Sequence, residues 1–307
     1  MNPVFVQIPV DIPAPVKRPK YDRAALRRGI IHDSVASFHR AHQAWCPHRL
    51  LQAGRAQDWA NIGAGVRALG TGDAAPVTHE NFRQWVIEDD FCRGRPDWDR
   101  VGATYSDDVH GHETRKLRLL HACHQFLTNA AKLLGLQTLA QTMLHHPLRS
   151  FFRKNPQTEI APLVKPVPGM KPQTYTVPVE RRISNPTTRD TVRRVVFDGN
   201  SRHLDFVLPT IRDARTTSAP TAGLAMAETI WSRMCLGHRE DGSRTVQKDP
   251  MWKRLKAIAQ SNELTPLAWL KMDDIYRDLV DWPDFAAAFE TAHRKNPRRR
   301  RRCRFEL

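Results

Sequence analysis

The positions of proline in the second half of this chain restrict its fold more than any other feature. Four prolines, three of them preceded by a residue that can cap a helix, each stand directly before a segment with helical spacing: Asn185–Pro186, Asp249–Pro250, Thr265–Pro266 and Pro283. A capping residue followed by proline at the first helical position is typical of a helix start. The pattern therefore predicts an all-α domain with no internal repeat. Its predicted helices run from 186 to a close at Gly199, from 222 to 235 before Gly237, and over 251–260, 267–279 and 284–294.

Helical spacing also dominates the residues that precede this part of the chain. It predicts helix from Thr114 onward and again over Ala130–Leu144. Lys154–Glu180 is rich in proline, which removes a backbone donor and clashes with the preceding helical turn. We therefore expect Lys154–Glu180 to cross the domain as an extended segment.

Two strands and one helix are predicted near the beginning of the chain. Gly29–Ser34 has the pattern of a short buried strand, Val35–Leu51 that of a helix, and Trp59–Val66 that of a second strand. Strand, helix and strand in this order open a dinucleotide-binding fold, which needs about five or six strands. A turn-rich joint follows Leu69, and no further βαβ unit is predicted from Phe82 onward.

The predicted fold class is mixed, with a truncated Rossmann-like α/β stub followed by a mainly α-helical domain. We expect the stub to comprise residues 1–75 and the helical domain residues 76–293; the resemblance described below implies that they are a remnant of an NAD(P)-binding domain and a catalytic domain. Residues 294–307 form a basic tail.

Composition and charge set limits on the class of protein. Forty-eight Lys and Arg against 32 Asp and Glu give a net charge of +16, and 40% of the residues are hydrophobic, as in a globular protein. No apolar run approaches the length of about 20 residues that a membrane helix needs, and the N-terminus lacks the pattern of a signal peptide. Scattered cysteines without paired spacing, Cys46, Cys92, Cys123, Cys235 and Cys303, favour a reducing compartment. We expect a cytoplasmic monomer.

The basic residues leave several ligands open. Arg298–Arg302 is either a solvated tail or an arm that binds nucleic acid, and no aromatic residues interleave with it. Apart from this tail, we do not expect the chain to bind nucleic acid. Arg181, Arg182, Arg193 and Arg194 leave room for an anionic ligand or a ligand rich in hydroxyl groups.

The stretch Thr104–Phe126 carries most of the candidate chemistry. On a helical wheel Glu113, Lys116, His121 and His124 fall within an arc of about 140°. The surrounding helix is apolar nearly all round, which predicts burial. A buried lysine costs several kcal/mol unless it is paired or its pKa falls. Lys116 is therefore either a group that transfers protons or a half-buried lysine that pairs with Glu113.

A metal site is the alternative reading of the same stretch. Its possible zinc ligands are His110, His112, His121, Cys123 and His124. No paired Cys-x-x-Cys spacing supports zinc, and we expect no metal.

Several sequence blocks in the same order resemble the mannitol 2-dehydrogenase family of polyol-specific long-chain dehydrogenases. The blocks are YDRAALRRGIIHDSVASFHRAHQA, FRQWVIEDDF, VGATYSDDVHGHETRKLRLLHACH, ISNPTTRDTVRRVVFDGNSRHLDFVLPTIRD, GLAMAETIWSRMCLG and DPMWKRLKAIAQ. The resemblance runs from about Tyr21 to Leu69 and from about Pro76 to Ala292. It implies an NAD- or NADP-dependent enzyme that transfers hydride between the nicotinamide and a secondary alcohol of a polyol, a keto-sugar or a sugar acid.

The resemblance also implies roles for four residues. Lys116 matches the lysine that acts as general base in oxidation and returns the proton in reduction. His124 matches a histidine that contacts substrate hydroxyls, and Glu113 matches a glutamate through which the proton reaches solvent. His121 stands where the family has an asparagine that donates a hydrogen bond to the oxygen on which charge develops. Loss of one such donor costs about 3–4 kcal/mol in the transition state.

The resemblance places the cofactor loop just after the first strand. The expected cofactor-binding residues are Ser34, Val35, Ala36, Ser37, Phe38, His39 and Arg40. The family has a glycine-rich turn here, whereas this chain has none, and side chains crowd the approach to the pyrophosphate. The family's long segment between the second strand and the FRQW block is also missing. We therefore expect weak cofactor binding and impaired activity, or a non-catalytic remnant that serves as a binding module.

Overall fold

A computed structural model describes residues 19–23, 25–33, 39–64, 84–92, 94–263 and 265–295. Contacts divide the chain into two units, Met1–Val109 and His110–Leu307. The predicted domain boundary at residue 75 falls outside the described residues and stays a prediction. Arg298–Arg302 also lies outside them.

The first unit begins with a parallel strand–helix–strand motif, as the sequence predicted. Strand β1 (Arg28–Asp33) is followed by a π-helical turn at His39–Gln43, helix α1 (Trp45–Gln52) and strand β2 (Ala60–Ala64). The strands are parallel, with Ile31 beside Ile62. Residues 34–38, which hold the end of the predicted strand and the beginning of the predicted helix, lie outside the described residues. The first unit thus contains a truncated Rossmann-like motif.

A second parallel pair of strands lies in the same unit and was not predicted. Strands β3 (Val86–Glu88) and β4 (Thr104–Ser106) are joined through a 3₁₀ turn at Trp98–Val101. Three-residue strands are too short to show an alternating pattern. The unit's small core gathers Cys46, Leu50, Trp98 and Ala103, with Trp85, Ile87 and Tyr105 against them.

The second unit is helical. Its helices are α2 (Val109–Lys116), α3 (Cys123–Leu133), α4 (Leu139–Leu144), α5 (His146–Asn155), α6 (Pro172–Ile183), α7 (Val192–Val195), α8 (Gly199–Arg202), α9 (Leu208–Thr217), α10 (Ala222–Cys235), α11 (Trp252–Asn262), α12 (Asp273–Tyr276) and α13 (Pro283–Lys295). Helix α10 is buried on most of its surface and packs against α3, α11 and α13. Its first turn is fixed by Glu159, whose carboxylate accepts from the backbone N–H groups of Gly223 (2.8 Å) and Leu224 (2.9 Å).

Two π-helical turns pack on each other in this unit. The turn at Leu117–Ala122 joins α2 and α3 into one continuous helix, and the turn at His203–Val207 joins α8 and α9. A π-helical turn inserts an extra residue and shifts the phase of the side chains that follow it. The ring of Phe206 lies 5.2 Å from the ring of His121, between centroids.

The extended conformation expected for the proline-rich segment Lys154–Glu180 is wrong for most of its length, because only residues 164–171 are non-helical. Helix α5 continues into a π-helical turn at Pro156–Ile160, and α6 begins at Pro172. Pro172 occupies the first position of α6, where no backbone donor is needed, whereas Pro156 lies at the point where α5 passes into the π-helical turn. Pro178 lies inside α6, and the burial of Tyr175 and Val179 on the same helix offsets the lost hydrogen bond.

The predictions for the later helices were partly right. Those for 222–235, 251–260 and 284–294 are confirmed by α10, α11 and α13. Gly199 begins α8 instead of closing a helix, because Arg189 and Asp198 adopt positive φ and interrupt the chain before it. The segments 130–144 and 267–279 are likewise broken, the first at Gly135 with φ +74° and the second into α12 between two 3₁₀ turns.

A buried hydrogen-bond network lies at the centre of the second unit. The carboxylate of Glu228 on α10 accepts from Nδ1 of His203 at 2.7 Å and from the hydroxyl of Tyr276. Nε2 of His203 accepts from the amide of Asn129 at 3.1 Å, and its ring stacks on Trp231 at 3.7 Å between centroids. All five side chains are buried. The network joins α3, α10, α12 and the turn at His203–Val207.

Replacement of Glu228 by Ala should lower the free energy of unfolding by about 3–5 kcal/mol, because it leaves buried donors on His203 and Tyr276 without their acceptor. Urea unfolding followed by circular dichroism measures this. Glu290→Ala on α13 is the matched control, since Glu290 pairs with Arg294 at 3.6 Å on the surface and should cost less than about 1 kcal/mol. Equal losses in the two variants would contradict a central role for Glu228.

Candidate active site

The continuous helix formed by α2, the π-helical turn and α3 carries the candidate catalytic residues. Lys116 is the last residue of α2, His121 lies in the turn, and His124 is in the first turn of α3. Single π-helical turns inside α-helices are frequent at functional sites. The described geometry therefore places a helix irregularity at the residues that the sequence singled out.

The predicted burial of Lys116 is wrong, because the side chain is exposed. The inward side of α2 is formed by His112 and Arg115, and Lys116 turns away from it. Glu113 is exposed as well, and its Oε2 lies 3.6 Å from Nδ1 of His110. Within the described part of the chain no ion pair joins Glu113 to Lys116, so the predicted pairing is also wrong.

His121 and His124 lie together and are partly buried. Their ring centroids are 6.2 Å apart in an edge-to-face arrangement. Burial, then the charge of Lys116 and then nearby arginines lower the pKa of His121 to about 4. Burial and the neighbouring His121 lower the pKa of His124 to about 3. Both imidazoles are therefore neutral at pH 7, and Lys116 is close enough to His121 to influence it electrostatically.

Arginines from three other helices surround the two histidines. The charges of Arg182, Arg194 and Arg202 all contribute to the lowered pKa of His121. Asp190 holds Arg194 through two hydrogen bonds of 2.7 and 2.6 Å, which fix the plane of the guanidinium. The sequence indicated an anionic or hydroxyl-rich ligand near Arg182 and Arg194, but it did not single out Arg202. Arg202 lies on a separate helix, α8, so spacing within one predicted helix gave no signal for it.

The predicted cofactor residues are described only in part. Ser34–Phe38 lies outside the described residues. His39 is buried in the π-helical turn that also contains Arg40, and its Nδ1 lies 2.9 Å from Oε1 of Gln43. Their cofactor roles stay predictions.

Two further comparisons with the sequence can be made within the described ranges. No three His, Cys, Asp or Glu side chains there come together in a way that could hold a metal ion. No helix in those ranges is both long enough and apolar enough to cross a membrane.

Solved structures share this fold. A Pseudomonas fluorescens mannitol 2-dehydrogenase, solved as a ternary complex with NAD and D-mannitol, matches with a TM-score of 0.75 at 20% identity over 89% of this chain and 92% of that chain. A D-sorbitol dehydrogenase in substrate-free form matches with a TM-score of 0.70 at 17% identity over 90% and 98%. The fold is therefore that of polyol dehydrogenases.

Sequence comparisons identify the family. The model of the mannitol dehydrogenase C-terminal domain matches residues 108–295. Mannitol 2-dehydrogenase of Cereibacter sphaeroides is 36% identical over 233 residues, which cover 75% of this chain and 49% of that relative. Mannitol 2-dehydrogenase of Pyricularia oryzae is 33% identical over 209 residues, 67% of this chain and 42% of that relative. The chain belongs to the mannitol dehydrogenase family, and it spans about half the length of these curated relatives.

The two histidines should make the folded state sensitive to acid. Their pKa values are lower in the folded than in the unfolded chain, so the unfolded chain binds more protons between about pH 6.5 and 4. The free energy of unfolding should therefore decrease as the pH falls through this range. The double variant His121→Gln/His124→Gln should show a shallower decrease in urea unfolding. His110→Gln, at an exposed position, is the matched control. An equal slope in wild type and double variant would contradict the assignment.

Proposed function

We propose that this chain is an oxidoreductase that uses NAD or NADP to transfer hydride between the nicotinamide and the secondary alcohol of a polyol such as mannitol, or the corresponding keto-sugar or sugar acid. The observation that carries the proposal is the placement of Lys116, His121 and His124 around one π-helical turn in a domain of the mannitol dehydrogenase family. Family membership supports the reaction class, and the geometry supports the residues.

Lys116 acts as the proton-transfer group in this proposal. Oxidation of a secondary alcohol needs a base that takes the hydroxyl proton, and reduction needs an acid that returns it. The exposed amine of Lys116 can reach a hydroxyl group in front of the helix and exchange its proton with solvent. Glu113, one turn earlier and also exposed, is proposed to pass that proton to water.

His121 and His124 orient the substrate. A neutral imidazole offers one N–H donor and one acceptor, which suits a hydroxyl group that does both. The low pKa of each ring keeps it neutral across the physiological range. Arg194 and Arg202 place positive charge close to the histidines, and such charge stabilises the negative charge that develops on the carbinol oxygen.

We also propose a low turnover number, and His121 is the reason. The family motif has an asparagine at this position, and an imidazole differs from an amide in reach and shape. His121 is packed against Phe206, which limits the directions in which its N–H can point. The oxygen on which charge develops then lacks a well-placed donor.

The described residues fit a dinucleotide only in part. Strands β1 and β2 form the parallel opening of a nucleotide-binding sheet, and the proposed pyrophosphate-binding residues Ser34–Arg40 follow β1 in the sequence. When bound, the nicotinamide accepts or supplies the hydride. The absence of glycine from Ser34–Arg40 favours weak binding of the cofactor.

Replacement of Lys116 by Ala should reduce kcat for polyol oxidation by about 100-fold or more, because it removes the proton-transfer group. The measurement follows the absorbance of reduced nicotinamide with a panel of polyols and sugar acids. Lys271→Ala removes an exposed lysine outside the site and should retain wild-type turnover.

Two results would contradict the proposal. If Lys116→Ala turns over as fast as Lys271→Ala, the residue assignment is wrong. If the wild-type protein oxidises or reduces no member of the panel with either cofactor, the chain is instead a non-catalytic binding module.

A further inference from the structure

A cationic cavity lies in the helical unit. Its volume is about 720 Å³, within the range of small-molecule sites. Five cationic side chains contribute to its lining: Lys132, Arg193, Arg194, Arg202 and Lys248. None of the described residues that line it carries a carboxylate. Phe197 and Val246 add apolar surface, and both are more exposed than large apolar side chains usually are.

Most of this positive charge is not neutralised by the protein. Arg194 is paired with Asp190, but Lys132, Arg193, Arg202 and Lys248 form no ion pair with any described residue. Burial, together with the charges of Arg239 and Arg193, lowers the pKa of Lys132. Burial and the charge of Arg194 lower the pKa of Arg202, and the carboxylate of Asp198 opposes this shift. The cations therefore lie close enough together to repel one another.

The fold brings these cations together although they repel one another electrostatically. They come from α3, from the neighbouring helices α7 and α8, and from the loop before α11. Nε of Arg202 donates to the carbonyl of Phe197 at 2.7 Å, which fixes one guanidinium at the cavity. A cleft lined by charge of one sign concentrates counter-ions, and an anion that binds there relieves the repulsion.

The number of charges distinguishes the possible ligands. A neutral polyol would leave all four unneutralised cations as they are, and a carboxylate would neutralise one charge. A phosphate monoester carries about two negative charges at pH 7 and three acceptor oxygens, which arginine can bind in bidentate fashion. We propose that this cavity binds the phosphate group of a small phosphorylated metabolite.

The cavity shares Arg194 and Arg202 with the proposed substrate site, whereas Lys132, Arg193 and Lys248 have no part in the proposed proton transfer. Phosphate binding is measured without cofactor or turnover. Loss of phosphate binding and loss of turnover are therefore distinguishable results.

Isothermal titration calorimetry with the full chain tests the proposal. Fructose 6-phosphate should bind saturably, whereas fructose and gluconate at the same concentrations should bind at least about tenfold more weakly. Inorganic phosphate should compete. Arg193→Gln/Lys248→Gln should weaken binding of the phosphate ester by about tenfold or more, since it removes two of the four unneutralised charges.

Lys165→Gln/Lys271→Gln is the matched control, because it removes two exposed charges that do not line the cavity. It should leave the affinity within about twofold of wild type, as expected for screened charges outside the site. Equal weakening in both double variants would overturn the proposal, and so would binding of gluconate or fructose as tight as that of the phosphate ester. A melting curve of each variant confirms that it is folded.

Discussion

The buried carboxylate of Glu228 is the interaction on which the helical unit depends. It satisfies His203 and Tyr276 at once, and His203 in turn accepts from Asn129. A polar network in a core is favourable only when all of its members are paired, and here that pairing fixes the relative positions of α3, α10 and α12. It also fixes the π-helical turn that begins at His203, whose Phe206 packs against His121. The ring of Phe206 thus connects the core network to the candidate site.

Neighbouring side chains in the candidate site differ in burial and in charge. His121 and His124 are partly buried and neutral, whereas Lys116 on the same continuous helix is exposed to solvent. The charges of Arg194 and Arg202 help to lower the pKa of His121, and the same two side chains line the cationic cavity. The positive potential is therefore shared between two adjoining regions, and it favours ligands that carry or develop negative charge at either one.

The family, the fold class and a few helix starts could be predicted from the sequence. The starts of α11 and α13 could be predicted because capping residues and proline act locally. Asp249 illustrates this, since its carboxylate accepts from the N–H of Met251 just before α11. The proline-rich segment was predicted wrongly, because tertiary burial of Tyr175 outweighs the local cost of Pro178.

Lys116 and Arg202 mark the limits of prediction at the site. The burial of Lys116 was predicted from a regular helical wheel, but the inward face of α2 is occupied by Arg115. No pattern in the sequence shows which side of a nearly apolar helix faces the core. The contribution of Arg202 depends on α3, α7 and α8 coming together, and residue spacing along one element cannot reveal it.

The central proposal is that this chain binds a nicotinamide cofactor as a dehydrogenase does. Thermal unfolding of the wild-type chain across a titration with NADH and with NADPH tests it most directly, because a ligand that binds only the folded state stabilises it by about 2.7 kcal/mol at a hundredfold excess over Kd. We expect a saturable rise in Tm with one of the two cofactors and none with AMP at equal concentration. An unchanged Tm with both cofactors would contradict the claim.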